Sequence, residues 1–176
     1  MKCMLTETVV PGKQPSLPDD ALPRFICDVH LGKLARRLRL LGFDTIYRID
    51  LEDDEIIRTA QRDHRIILTR DGEILAHRAV QSHRPASIFS DEQVREVLSA
   101  FNLRKKISPF SRCIKCNGDL IPVDKGSVMD SIPPRSGLFM NLFWQCQGCR
   151  KIYWQGSHYE KLTRWIEEVV QRPYLP

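Results

Sequence analysis

From residue 24 the chain alternates between short unbroken apolar runs and longer stretches whose apolar residues recur every three or four positions. Residues 24–28 (RFICD) are a run of the first kind, a strand that delivers Asp28 to its C-terminal end. Leu31, Leu34, Ala35, Leu38 and Leu41 then mark one face of a helix, and Gly42 supplies its stop. FDTIYR (43–48) reads as a second strand. After the acidic turn IDLEDDE, with Asp53 or Asp54 as N-cap, Ile56, Ile57 and Ala60 give the buried face of the next helix. RIILTR (65–70) predicts a third strand, DGEILAHRAV (71–80) a short helix and PASIFS (85–90) a fourth strand. DEQVREVLSAFNL (91–103) predicts a helix capped by Asp91. Strands alternating with helices imply an α/β fold, a parallel sheet flanked by helices on both faces. Ligands of such sheets bind beyond the C-terminal strand ends.

The pattern differs on either side of this unit. Residues 1–22 carry Pro11, Pro15 and Pro18 among polar residues and read as an extended, flexible N-terminal arm. Near residue 108 the periodicity gives way to CIKC, a Pro- and Gly-containing linker, CQGC and an amphipathic segment with Leu162, Trp165, Ile166, Val169 and Val170. FWQC and RKIYWQ look like strands of a small hairpin. The expected organisation is an arm at 1–22, an α/β domain at 23–107, and a cysteine-bearing ribbon with a closing helix at 108–176.

Composition sharpens this picture. The net charge is +5 with 28% charged residues, which fits a polyanionic partner. The N-terminus lacks the apolar core of a signal peptide and no run has the length of a membrane span, so a soluble, cytoplasmic protein is expected. In that compartment cysteines are read first as metal ligands or free thiols. Cys113-x2-Cys116 and Cys146-x2-Cys149 suit a closed tetrahedral Zn2+ site of structural type. Cys27, inside the first strand, is most simply a small core residue.

Three candidate strands end in an acid: Asp28, Asp71 of RIILTRD and Asp91 of SIFSD. Carboxylates gathered at strand ends are what Mg2+ or Mn2+ requires, since both ions take oxygen ligands. Two such ions serve phosphodiester hydrolysis. Taken singly, Asp53 and Asp91 also suit helix capping, and Asp71 a turn.

The segments DVHLGKLARRLRLLGFDTIY, DDEIIRTAQRDHRIILTRD, SRCIKCNGDLIPVDK and CQGCRKIYWQGSHYEKL together resemble the mutator-seven C-terminal (Mut-seven-C) RNase domain family. That family is a branch of the PIN-like nucleases with a C-terminal zinc ribbon. The resemblance implies a PIN-like fold and metal-dependent cleavage of RNA. It matches Asp28 to the first strand acid, Asp53 or Asp54 to the acid opening the helix before the last active-site strand, and Asp71 to the TRD acid. Asp53 is favoured slightly over Asp54. A further acid is expected from Glu55, Glu73 or Asp91.

Lys33, Arg36 and Arg37, with Arg39 on the same helix and Arg70 beside Asp71, are candidates for holding RNA phosphates, without distinguishing tRNA, rRNA or mRNA. The competing reading makes the helical cations a solvated face. His30 reads as a phosphate contact or a helix-start residue. His158 reads as a bond to the first domain or to RNA, with Ser157 as helix N-cap. Trp144, Tyr153 and Trp154 read as ribbon core or base-stacking platforms. The alternative function is a non-catalytic RNA-binding or adaptor module that keeps the fold and the zinc site. The sequence fixes no oligomeric state.

Overall fold

A computed structural model describes residues 22–174; residues 1–21, and with them the expected arm and Cys3, lie outside the described residues. Four parallel strands form the first sheet: β1 (Arg24–Cys27), β2 (Thr45–Ile46), β3 (Arg65–Leu68) and β4 (Ser82–His83), in the order β2-β1-β3-β4. β1 and β3 are the centre, paired from Arg24↔Arg65 to Cys27↔Leu68. Both are almost wholly buried, the signature of strands covered on two faces.

Side chains alternate across the sheet, as the two-residue strand period demands. Phe25, Cys27, Ile66 and Leu68 enter one core with Leu34, Ala35 and Leu38 of α1 (Gly32–Leu40) and Val94, Val97 and Leu98 of α4 (Ser90–Ala100). Ile26 and Ile67 enter a second core with Ile56 and Ala60 of α2 (Asp53–Asp63) and Ile74 of α3 (Gly72–Ala76). Gly42, at φ +96°, ends α1: its N–H bonds to the Arg39 carbonyl and that of Phe43 to the Leu38 carbonyl.

Several boundaries depart from expectation. The fourth strand is Ser82–His83, and 85–89 form a loop. Buried Glu96 receives the Ala86 N–H at 2.9 Å and faces His83 at 3.1 Å, so α4 takes up polar groups that a strand would have offered to a ladder. The second strand keeps only Thr45–Ile46, and α3 stops at Ala76. Glu52, not Asp53 or Asp54, caps α2 through a reciprocal capping box with Glu55. Phe89 rather than Asp91 is the N-cap of α4, and Gly156 rather than Ser157 that of α6 (Ser157–Gln171).

The second sheet is antiparallel, in the order β5-β6-β7: β5 (Leu120–Val123), β6 (Phe143–Cys146) and β7 (Ile152–Trp154). FWQC and the IYW of RKIYWQ are thus strands as expected, and β5 is an addition. Its Pro122 reads as linker, yet β5 is an edge strand, where the missing N–H breaks no ladder. The long connection holds a 3-10 turn (Gly126–Ser131) and α5 (Pro134–Phe139). α6 returns to the first sheet, placing Ile166 and Val169 in the α1/α4 core. Among the described residues no helix is long and apolar enough to cross a membrane.

Candidate active site and metal centre

β1 and β3 run parallel and adjacent, so the residues just past them share one edge. Asp28 follows β1; its N–H bonds to the Leu68 carbonyl at 3.1 Å. The residue is only 4% exposed. Oδ1 accepts the His30 N–H at 2.7 Å, and Oδ2 accepts the Arg70 N–H at 3.1 Å and the Thr69 hydroxyl. The same Thr69 oxygen accepts the Asp71 N–H at 2.9 Å. One hydroxyl thereby joins the two acids that end the central strands. Asp71 itself is exposed and caps α3, its Oδ1 accepting the N–H groups of Glu73 and Ile74.

Asp53 and Asp54 lie exposed in the first turn of α2. Since α2 leads from β2 back into the start of β3, its N-terminus lies at the same edge of the sheet as Asp28 and Asp71. The acids are thus brought to one edge without converging on one point. Among the described residues only the four ribbon cysteines place three or more ligand atoms within reach of a single ion. Asp91 is engaged elsewhere, paired with Arg37 and accepting the Trp165 indole N–H at 3.2 Å. Glu55 serves the α2 cap, and Glu73 lies exposed in the first turn of α3.

The basic stripe divides. Lys33 and Arg36 are exposed, while Arg37 is half-buried, held between Asp91 and the Trp165 ring, 4.5 Å from its centroid. Arg39 leaves the stripe altogether. It is 3% exposed, and its guanidinium donates to the carbonyls of Thr45 (2.8 Å), Tyr47 (3.4 Å), Ile114 (3.2 Å) and Lys115 (3.0 Å). It ties α1 and β2 to the first cysteine knuckle. An arginine can be buried in this way when carbonyls take up its donors. Arg70 is half-buried, and its backbone serves Asp28. His30 and His158 are exposed. Cys27 is fully buried in the core, and burial and neighbouring Asp28 push its thiol pKa up.

The cysteines meet as the spacing predicts. All four Sγ atoms lie within 4.8 Å of one another, with Cys116 and Cys146 at 3.3 Å and Cys113 and Cys149 at 3.6 Å. A tetrahedron of thiolates at the zinc–sulfur distance has edges of about 3.8 Å, so the set fits an ion such as Zn2+. The two knuckles repeat one backbone geometry. Asn117 N–H bonds to the Cys113 carbonyl and Cys113 N–H to that of Gly118; Arg150 N–H bonds to the Cys146 carbonyl and Cys146 N–H to that of Lys151. Asn117 and Arg150 both take left-handed conformations, at φ 73° and 60°. A Cβ on Gly118 would lie 2.9 Å from the Cys146 sulfur, so only glycine lets the knuckles close.

The Cys116 and Cys146 thiols do not ionise alike. Burial resists it, yet the Gly118 N–H and the Cys146 thiol bring Cys116 down to about 6, while burial first pushes Cys146 up to about 12. Tyr153 sits 3.1 Å from the Cys113 sulfur, and burial together with that sulfur raises its hydroxyl pKa. Tyr153 and Trp154 are partly buried strand residues, and Trp154 packs on the ribbon core with Phe143.

Residues 23–166 match the Mut7-C RNAse domain. The chain belongs to that family. Membership of the Mut7-C family makes it a member of a nuclease family, with nucleic acid as the expected substrate class. Over 115 residues, 61% of this chain, it is 36% identical to the human "Exonuclease mut-7 homolog". The aligned part covers only 13% of that protein's length. No solved structure matches the Mut7-C chain.

Three contributors to these sites carry no motif of their own in sequence. Thr69, between a strand and the TRD acid, reads as a strand residue until its hydroxyl is found between the Asp28 carboxylate and the Asp71 backbone N–H. Asn117 donates to Asp44 at 2.7 Å and accepts the Thr45 N–H at 2.9 Å, fastening the ribbon to the sheet. Asp44 reads as a plain strand residue, and only the fold shows it serving Arg24 and Arg65.

Proposed function

We propose that this Mut7-C chain is a ribonuclease of PIN-like type that hydrolyses RNA phosphodiester bonds with Mg2+ or Mn2+ held by Asp28, Asp71 and Asp53. The observation that carries the reading is the Asp28–Thr69–Asp71 arrangement at adjacent parallel strand ends. Both acids offer the oxygen donors these ions take, and Asp28 is oriented by three donors before any ion arrives. When bound, such ions lower the pKa of water and stabilise the leaving oxygen. The chain's part is to hold the acids still, with Thr69 and the His30 and Arg70 amides fixing the Asp28 carboxylate. Lys33 and Arg36 stand exposed on the helix that starts beside Asp28, placed to neutralise a phosphate backbone. Zn2+ on the four cysteines serves as a structural ion, in a reducing compartment such as the cytoplasm.

The test is Asp71→Asn. Asparagine caps a helix as well as aspartate does, so α3 and the fold are kept while the anionic ligand is lost. Cleavage of a mixed RNA pool in Mn2+ should disappear with an unchanged circular dichroism spectrum and melting temperature. Undiminished cleavage overturns the assignment. The second reading, an RNA-binding adaptor, draws on the carboxylates not sharing one point. RNA bound but never cut by the wild-type chain in Mg2+ or Mn2+ selects it.

A further inference from the structure

We propose that the depression between the N-terminal ends of α1 and α4 binds single-stranded RNA, with an unpaired base stacked on Phe89 and the adjoining phosphate on Lys33 and Arg36. This deepens the nuclease reading and rests on it for the identity of the polymer. The depression has a volume of about 510 Å³ and is lined by Val29, His30, Lys33, Arg36, Ile88 and Phe89, among others.

Its two walls differ in chemistry. On the α4 side Ile88 is 71% and Phe89 64% exposed, and Val29, in the turn that leads into α1, is 39% exposed. Folding normally buries such side chains, and contiguous exposed apolar residues mark a surface that meets a ligand. The exposure is imposed by an anchored loop. Ala86 N–H is held by Glu96 at 2.9 Å, the Ser87 hydroxyl by Glu92, the Ser87 carbonyl by Gln93 at 2.9 Å, and Phe89 N–H by the Ser87 hydroxyl at 3.0 Å. On the α1 side Lys33 and Arg36 present cations to solvent. An apolar ring across from two cations suits a molecule with a flat uncharged face and an anionic backbone.

The position supplies the rest. Val29 and His30 follow Asp28 directly, and its carboxylate holds the His30 N–H at 2.7 Å. A strand lying in the depression therefore passes close to Asp28, the first of the proposed acids. A duplex hides its base faces in the stack, whereas an unpaired base offers one to Phe89.

The experiment uses the full chain and a fluorescein-labelled oligouridylate, single-stranded or annealed to its complement, without added divalent ions so that nothing is cut. Phe89→Ala should weaken single-strand binding between about fivefold and a hundredfold, the range of base–aromatic stacking. Phe89→Trp should restore it, and duplex affinity should not move. Phe89 is exposed, so the alanine variant keeps its fold, checked by its melting temperature. Equal single-strand affinity in wild type and Phe89→Ala overturns the proposal. So does a wild-type chain that binds no single strand, or a Phe89→Ala variant that loses only self-association, which marks an interface between copies. Asp71→Asn separates this from the nuclease reading. Stacking-dependent binding without cleavage by the wild type sustains the site and removes the enzyme; cleavage indifferent to Phe89 does the reverse.

Discussion

Asp44→Asn has a consequence whose sign and pH window both follow from geometry. Asp44 Oδ1 accepts Arg65 Nη1 at 2.8 Å and Asn117 Nδ2 at 2.7 Å; Oδ2 accepts Arg24 Nε at 3.1 Å and Arg65 Nη2 at 3.2 Å. The Arg65 side chain is only 5% exposed, so Asp44 offsets a charge that water scarcely reaches. Burial opposes ionisation of Asp44, but the bonds from Arg65, Asn117 and Arg24 and the charge of Arg65 outweigh it and hold the carboxyl near 2, against an ordinary 3.8. A folded-state pKa below the unfolded one stabilises the fold above about pH 4, and that stabilisation is lost as pH falls through the folded value. The difference corresponds to about 2 kcal/mol at neutral pH, with little discount for solvent because the Asp44 side chain is 17% exposed. Urea unfolding of wild type and Asp44→Asn, followed by circular dichroism and tryptophan fluorescence, measures it directly. The two should differ by about 2 kcal/mol at pH 7 and by about half that at pH 3. No gap at pH 7, or a gap that stays constant down to pH 3, refutes the reasoning.

Other perturbations test separate parts of the molecule. Gly118→Ala drives a methyl group against the Cys146 sulfur, so the purified variant should hold less than one zinc per chain by elemental analysis and release it faster to a chromogenic chelator. Arg39→Met strips donors from four backbone carbonyls and should cost at least about 3 kcal/mol in urea unfolding. Arg39→Lys should recover little of this, because one ammonium cannot span carbonyls on both β2 and the knuckle. A neutral result for Arg39→Met would show that water replaces the guanidinium.

What the chain declares about itself is local. The run RIIL must be buried on both faces, Leu34, Ala35 and Leu38 must lie on one helix face, and two CxxC knuckles at this spacing point to a tetrathiolate site, because periodicity and ligand spacing are properties of neighbours in sequence. The family resemblance likewise lies in contiguous motifs, and residues 23–166 carry it. The acids ending the two central strands were legible for the same reason, each standing beside its own apolar run.

Tertiary structure decided what depends on residues far apart. Arg39 carries the same charge as Lys33 and Arg36, yet carbonyls from Thr45 to Lys115 draw it inside, and no local pattern records that. Arg37 likewise leaves the expected RNA face because Asp91 and Trp165 arrive from two other helices. The loop at 85–89 has strand composition but becomes a loop because Glu96, on the following helix, competes for its backbone. The link between Asp28 and Asp71 through Thr69 exists only once β1 and β3 pair in register, since a hydrogen bond forms between groups that folding, and not sequence, makes adjacent.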